Sequence, residues 1–193
     1  MFTGIIQTTE KAINIEKHER SMEITFPIPP AWDIAEGESI NIDGICSTVK
    51  QLNQNRFSVY YMDETLNKAA LRNLDKEHVF NLERSLTLQT LISGHLVSGH
   101  IDTTASVSNI NAVEDAKVTT FSIEKKFTKY IVLKGSIAIN GVSLTVIEVT
   151  DASFAVSLIP HTLTNTNLGE LKTGDLVNIE VDMIAKYIEK LAR

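Results

Sequence analysis

Between Ser136 and Val146 the chain reads SIAINGVSLTV. Apolar Ile137 and Ile139 alternate with smaller or polar residues, Asn140-Gly141 interrupts, and Val142, Leu144 and Val146 resume the alternation. Alternation with a period of two predicts strands, and an Asn-Gly pair between two of them predicts a tight hairpin, because both turn positions take positive φ. Ser39 to Val49 repeats the pattern as SINIDGICSTV, with Asp43-Gly44 at the turn and Cys46 where the other copy has Ser143. RFSVYYM from Arg56, SFAVSLI from Ser153, VFNLE from Val79 and LVNIE from Leu176 predict further strands. ETLNKAALRNL, Glu64 to Leu74, predicts a short helix. Only the tail MIAKYIEKLAR changes period: Ile184, Tyr187, Ile188 and Leu191 follow helical spacing. That stripe packs either on its own domain or on the same helix of other subunits.

The two hairpins belong to a longer duplication. An offset of 97 residues carries Ser39 through Glu83 onto the second copy without a gap, and an offset of 95 carries GIIQTT from Gly4 onto GHIDTT from Gly99. Two halves of this size predict two like domains of one ancestry, since solenoid repeats are roughly 20 to 50 residues long. The expected class is all-β: two tandem six-stranded Greek-key barrels, residues 1–97 and 98–182, with a C-terminal α-helix at 183–193. Closure into barrels removes the exposed strand edges that short sheets would otherwise present.

Charge and composition narrow the function. A net charge of -6 without any lysine and arginine cluster argues against nucleic acid as a partner, which needs a basic surface to displace counterions. No apolar run reaches the roughly 20 residues of a membrane span, and the start lacks the pattern of a secretory signal, so no membrane association and a cytoplasmic location are expected. The single cysteine, Cys46, forms no intrachain disulfide, and no spacing suggests a metal site or a nucleotide cofactor. A small neutral or anionic ligand remains.

Read together, MFTGII, GICSTV, NLERSL, GHLVSGHIDTT, KGSIAINGVSLTV, LIPHTL and VNIEVD closely resemble riboflavin synthase of the alpha-chain type, in that family's order from Met1 to Asp182. The resemblance implies lumazine-binding barrels and a C-terminal helix that gathers three subunits into a homotrimer. It implies a reaction without cofactor or metal. Two molecules of 6,7-dimethyl-8-ribityllumazine exchange a four-carbon unit, giving riboflavin and 5-amino-6-ribitylamino-pyrimidinedione. The N-terminal barrel of one subunit would face the C-terminal barrel of another, each holding one substrate, and association with lumazine synthase is left open.

The same resemblance suggests roles for single residues. Cys46, Ser39 and His100 are the catalytic candidates: a thiol, a hydroxyl beside it, and a group that titrates near neutrality. Thr48 flanks Cys46 and would orient the ring, as would Phe2 near the N-terminus. Ser143 and Thr145 match the positions that bind the second ring. Lys134 would stabilise negative charge, and Asp182 would hold the ribityl chain or handle protons. Ile159 and Thr162, with Met62 and Thr65 as their counterparts, would contact the ring edge. His95 sits in the same GHLVSGH pattern and is read as more structural than His100, while Asn81 and Asn178 are read as structural throughout.

The N-terminal copy departs from its twin. Ser47 stands opposite Leu144, Ala69 and Ala70 opposite Thr166 and Asn167, and Glu77 opposite Gly174. Ser47 is expected to face the barrel interior with its hydroxyl unpaired, at a cost of roughly 1 to 3 kcal/mol. A non-catalytic lumazine- or flavin-binding protein of the antenna type is therefore the competing reading. Retention of Cys46, His95 and His100 favours the enzyme.

Overall fold

The computed structural model describes residues 1–72, 74 and 77–192. The first half contains Thr8–Lys11 (β1), Asn14–Lys17 (β2), Ser21–Pro27 (β3), Ser39–Ile42 (β4), Ile45–Asn53 (β5), Arg56–Met62 (β6), the helix Asp63–Lys68 (α1) and Val79–Arg84 (β7). The second half contains Thr103–Val113 (β8), Ala116–Ser122 (β9), Lys125–Thr128 (α2), Ser136–Ile139 (β10), Val142–Val149 (β11), Ser153–Leu158 (β12), Pro160–Asn165 (α3), a 3₁₀ turn at Asn167–Glu170, Leu176–Val181 (β13) and Met183–Leu191 (α4). Strands β10-β11-β12-β9-β8-β13 close into a six-stranded antiparallel barrel. In the first half the order is β1-β7-β4-β5-β6-β3-β2. There β1 and β2 are successive stretches of one bent strand, and Ile13 N between them donates to the Thr25 carbonyl, so six strands wrap here as well.

Both hairpins form as the turn pairs dictate. Asp43 and Gly44 take φ of 48° and 85°, Asn140 and Gly141 take 45° and 79°. Each barrel has its own core, with Phe26 stacked on Phe57 at 5.5 Å and Phe121 on Phe154 at 5.3 Å between ring centres. The predicted helix from Glu64 to Leu74 is shorter than expected. It stops at Lys68, and Asn73 lies outside the described residues. The cause is tertiary: Ala69 is extended, and Ala70 N donates to Asn178 Oδ1 of the other barrel at 2.7 Å, a bond that a continuing helix could not make. Asn167 N does the same towards Asn81 Oδ1 at 2.8 Å. Asn81 and Asn178 thus lock the barrels together reciprocally, each side-chain amide also donating to the turn carbonyl of the opposite half, Asn140 O and Asp43 O.

Ser47 corrects the sequence reading. It is buried inside the first barrel as expected, but its hydroxyl is satisfied, lying 2.7 Å from Tyr61 Oη and 3.0 Å from the Ile45 carbonyl. Burial pushes the Tyr61 hydroxyl far above the usual phenol range, with Ser47 pulling weakly the other way, so the pair is neutral. The second barrel has Leu144 and Leu158 at these places; a buried polar pair has replaced an apolar one. Ser47→Ala strands the Tyr61 hydroxyl and is expected to cost about 1–3 kcal/mol, whereas adding Tyr61→Phe to it should restore most of that loss. Urea unfolding of the two single variants and the double variant measures the difference.

Candidate functional site

Along β5 the side chains of Ile45, Ser47 and Val49 point into the barrel, so Cys46 and Thr48 stand on its outer wall, with Cys46 half-buried and Thr48 exposed. Strand β11 repeats this with Val142, Leu144 and Val146 inside and Ser143 and Thr145 outside. Across the hairpins Ser39 pairs with Thr48 and Asn41 with Cys46; Ser136 pairs with Thr145 and Ala138 with Ser143. The neighbouring strand adds one more outer residue to each wall. Val49 pairs with Val59 and Ser47 meets Tyr61, so continuing that register sets Met62 beside Cys46. Pairing of Val146 with Val156 likewise leads Ile159 to Ser143. Met62 and Ile159 are 69% and 54% exposed at the starts of α1 and α3, apolar positions open to whatever lies against the wall.

Two crossing segments complete the walls. The N-terminal strip reaches the second barrel, where Gly4 O accepts from Ser143 N at 2.8 Å; the strip between the barrels reaches the first, where Gly99 O accepts from Cys46 N at 2.8 Å. Both glycines have φ near +80°, and a Cβ on either would lie 2.6 Å from the Cβ of the residue it faces, so no other residue fits. Phe2 and Val97 exchange backbone hydrogen bonds between these strips. Phe2 is fully buried against Val97, Ala138 and the edge of Cys46.

His95 lies at the centre of the second wall. Its Nδ1 is 2.7 Å from Ser143 Oγ, its backbone N–H donates to the Thr3 carbonyl, and its Nε2 is buried without a protein partner among the described residues. Burial pushes the imidazole below its usual range, against the opposing pull of Asp182 and Glu180, and so favours the neutral form. Asp182 Oδ1 accepts from Ile184 N at 2.9 Å, capping α4. His100 is exposed next to Gly99, its backbone N–H held by Glu180 Oε2 at 3.0 Å. The structure therefore gathers the predicted residues into two sets: Ser39, Cys46, Thr48, Met62 and His100 on one wall, and Ser143, Thr145, Ile159, His95 and Asp182 on the other. Thr162 is buried with its carbonyl bonded to Thr166 Oγ1, Thr65 is half-buried in α1, and Lys134 is exposed with φ of 64°, its N–H bonded to the Val146 carbonyl.

Two buried charged residues escaped the sequence reading. Glu83 and Glu180, both 2% exposed, are the carboxylates to which the two crossing strips are fastened. The signal was a glutamate kept at the same place in VFNLE and LVNIE, directly after an apolar residue, Leu82 in one and Ile179 in the other. Two clefts, of 710 and 590 Å³, have neither Cys46 nor Ser143 in their walls; the larger lies where the barrels join, beside Asp43, Ala70, Asn140 and Asn167. In a single chain the exposed members of the walls are Thr48, Met62 and His100 on one and Thr145 and Ile159 on the other, while Cys46, Ser143 and His95 are half-buried. Among the described residues no group of three or more His, Cys, Asp or Glu side chains is arranged to hold a metal ion, and no helix is long and apolar enough to cross a membrane.

Comparison with known proteins agrees with this duplicated layout. The lumazine binding domain model matches twice, at residues 3–85 and 98–182. A riboflavin synthase of Actinobacillus pleuropneumoniae is 39% identical over 98% of this chain and 89% of its own length, and one of Escherichia coli (strain K12) is 41% identical over 94% and 87%. Among solved structures, LumP complexed with riboflavin superposes with a TM-score of 0.87 at 26% identity, covering 94% of this chain and all of that one, and LumP complexed with 6,7-dimethyl-8-(1'-D-ribityl) lumazine gives 0.84. With both repeats matched and relatives aligned over nearly their full length, the chain belongs to the riboflavin synthase family of lumazine-binding proteins.

Proposed function

We propose that this protein catalyses the dismutation of two molecules of 6,7-dimethyl-8-ribityllumazine, transferring four carbons from one to the other to give riboflavin and 5-amino-6-ribitylamino-pyrimidinedione. The observation that carries the reading is the pair of like walls, each with one reactive side chain on a hairpin strand: Cys46 on one, Ser143 beside His95 on the other. A reaction between two identical molecules needs two similar sites that assign them different roles. One lumazine must lose a proton from the methyl group on C7, and the other must accept a nucleophile at C7, before carbon–carbon bonds form. On the first wall Cys46 is the nucleophile candidate, with Ser39 and His100 as proton carriers; on the second, neutral His95 can accept a proton through Ser143 Oγ, while Thr145 and Asp182 orient the bound molecule. Holding two reactants in one geometry can remove about 7–11 kcal/mol of entropic barrier. Because Met62 and Ile159 stay exposed on the two walls of one chain, the reading includes a homotrimer in which the first wall of one subunit closes on the second wall of its neighbour.

A carrier that binds lumazine or flavin without turnover is the second reading, favoured by the likeness to the LumP complexes. Incubating the purified protein with the lumazine alone separates the two. Catalytic riboflavin at one per two lumazines consumed supports the synthase; saturable binding without riboflavin overturns it in favour of the carrier.

A further inference from the structure

We propose that Glu83 and Glu180 are positioning residues that act crosswise, each fixing the strip that builds the wall of the opposite barrel. The proposal rests on reading the Cys46 and Ser143 walls as the lumazine sites. Glu180, on β13 of the second barrel, accepts from Ser98 N and Ser98 Oγ at 2.7 Å through Oε1, and from Gly99 N and His100 N at 2.8 and 3.0 Å through Oε2. The strip so fastened delivers the Gly99 carbonyl to Cys46 N and sets His100 beside the first wall. Glu83, on β7 of the first barrel, accepts from Thr3 N at 2.7 Å, Thr3 Oγ1 at 2.6 Å and Gly4 N at 3.1 Å. That strip delivers the Gly4 carbonyl to Ser143 N and the Thr3 carbonyl to His95 N, whose ring meets Ser143.

The same device appears twice with its target exchanged. A buried carboxylate collecting three or four donors is a strong clamp, since hydrogen bonds to a charged acceptor are roughly twice as strong as neutral ones. Glutamine cannot replace it, because one of its two polar atoms is an NH₂ group that would face the N–H donors of the strip. The rival route runs within one barrel: Glu83 pairs with Asn41 and Asn41 with Cys46 across β7-β4-β5. Asn41 Oδ1, however, is occupied by Gly44 N at 2.7 Å, away from Cys46.

Cys46 is the only cysteine of the chain and so reports on its own wall. In the full-length protein, Glu180→Gln is expected to raise the rate of Cys46 alkylation by iodoacetamide about tenfold, because the covering strip is released, while Glu83→Gln changes it less than about twofold. Lumazine titration followed by fluorescence should show one of two binding events weakened in each variant, and pre-bound lumazine should slow alkylation in Glu83→Gln but not in Glu180→Gln. Ser98→Ala and Thr3→Val remove one donor each and should reproduce the pattern at smaller amplitude if either glutamine variant fails to fold. Equal thiol rates in Glu83→Gln and Glu180→Gln, or a rise only in Glu83→Gln, would overturn the crosswise assignment. Wild-type protein that makes no riboflavin, with the asymmetric alkylation still seen between the two variants, would sink the synthase reading and leave this one standing.

Discussion

A chain ending at Asp182 is expected to sediment as a monomer and to turn over lumazine several orders of magnitude more slowly than the full chain, since the entropic advantage of two facing sites, about 7–11 kcal/mol, is lost. The helix it lacks is tethered to its own barrel by two ion pairs, with Met183 and Ala185 half-buried beside them: Lys186 Nζ lies 2.6 Å from Asp102, and Glu189 lies 2.6 Å from Lys129. Ile184, Tyr187, Ile188 and Leu191 fall at helical spacing on a separate stripe and are 57%, 67%, 61% and 84% exposed. A nine-residue helix does not persist alone in water, so these tethers hold it in place while its apolar stripe stays available. Both barrel cores close without it. Partly exposed ion pairs are worth less than about 1 kcal/mol each, so the truncated chain should keep its cooperative unfolding and its lumazine affinity at single walls. Light scattering with steady-state kinetics decides the matter: a fully active monomer would mean that both walls of one reaction belong to a single chain.

The duplication, the hairpins and the alternation of inner and outer residues were legible because each is written in neighbouring residues. Asp43-Gly44 and Asn140-Gly141 need no distant information to turn the chain. What the sequence hid depends on residues far apart in it. Ser47 looked unsatisfied because its partner Tyr61 lies on the next strand, and α1 looked longer because Asn178, over a hundred residues away, takes the Ala70 N–H that would have extended it. The contact between His95 and Ser143 was hidden for the same reason. Nothing in GHLVSGH says that the first histidine meets Ser143 while the second faces solvent. The strands that carry Glu83 and Glu180 are legible, but the strips their carboxylates hold lie about eighty residues earlier in the chain.

Replacing Cys46 tests why the two copies differ at that one position. Serine is what the twin site carries, on a strand with the same pairing and the same glycine carbonyl on its backbone N–H, so Cys46→Ser should fold without strain and keep lumazine affinity within a few-fold. Its hydroxyl is a far poorer nucleophile at neutral pH than a thiol, which already carries a few per cent thiolate there. The hydroxyl can still accept and donate hydrogen bonds. Cys46→Ala removes both properties and leaves a small void against Phe2 and Val97. If Cys46 attacks C7 of one lumazine, turnover should fall by about 10² or more in the alanine variant, the scale of losing a positioned reacting group, with the serine variant between it and the wild type. Binding and turnover respond together if the thiol only packs, and separately if it reacts. Unchanged turnover in Cys46→Ala, with affinity intact, would remove the thiol from the chemistry and shift the first bond-making step to the opposite wall, where Ser143 already has His95 at hydrogen-bonding distance.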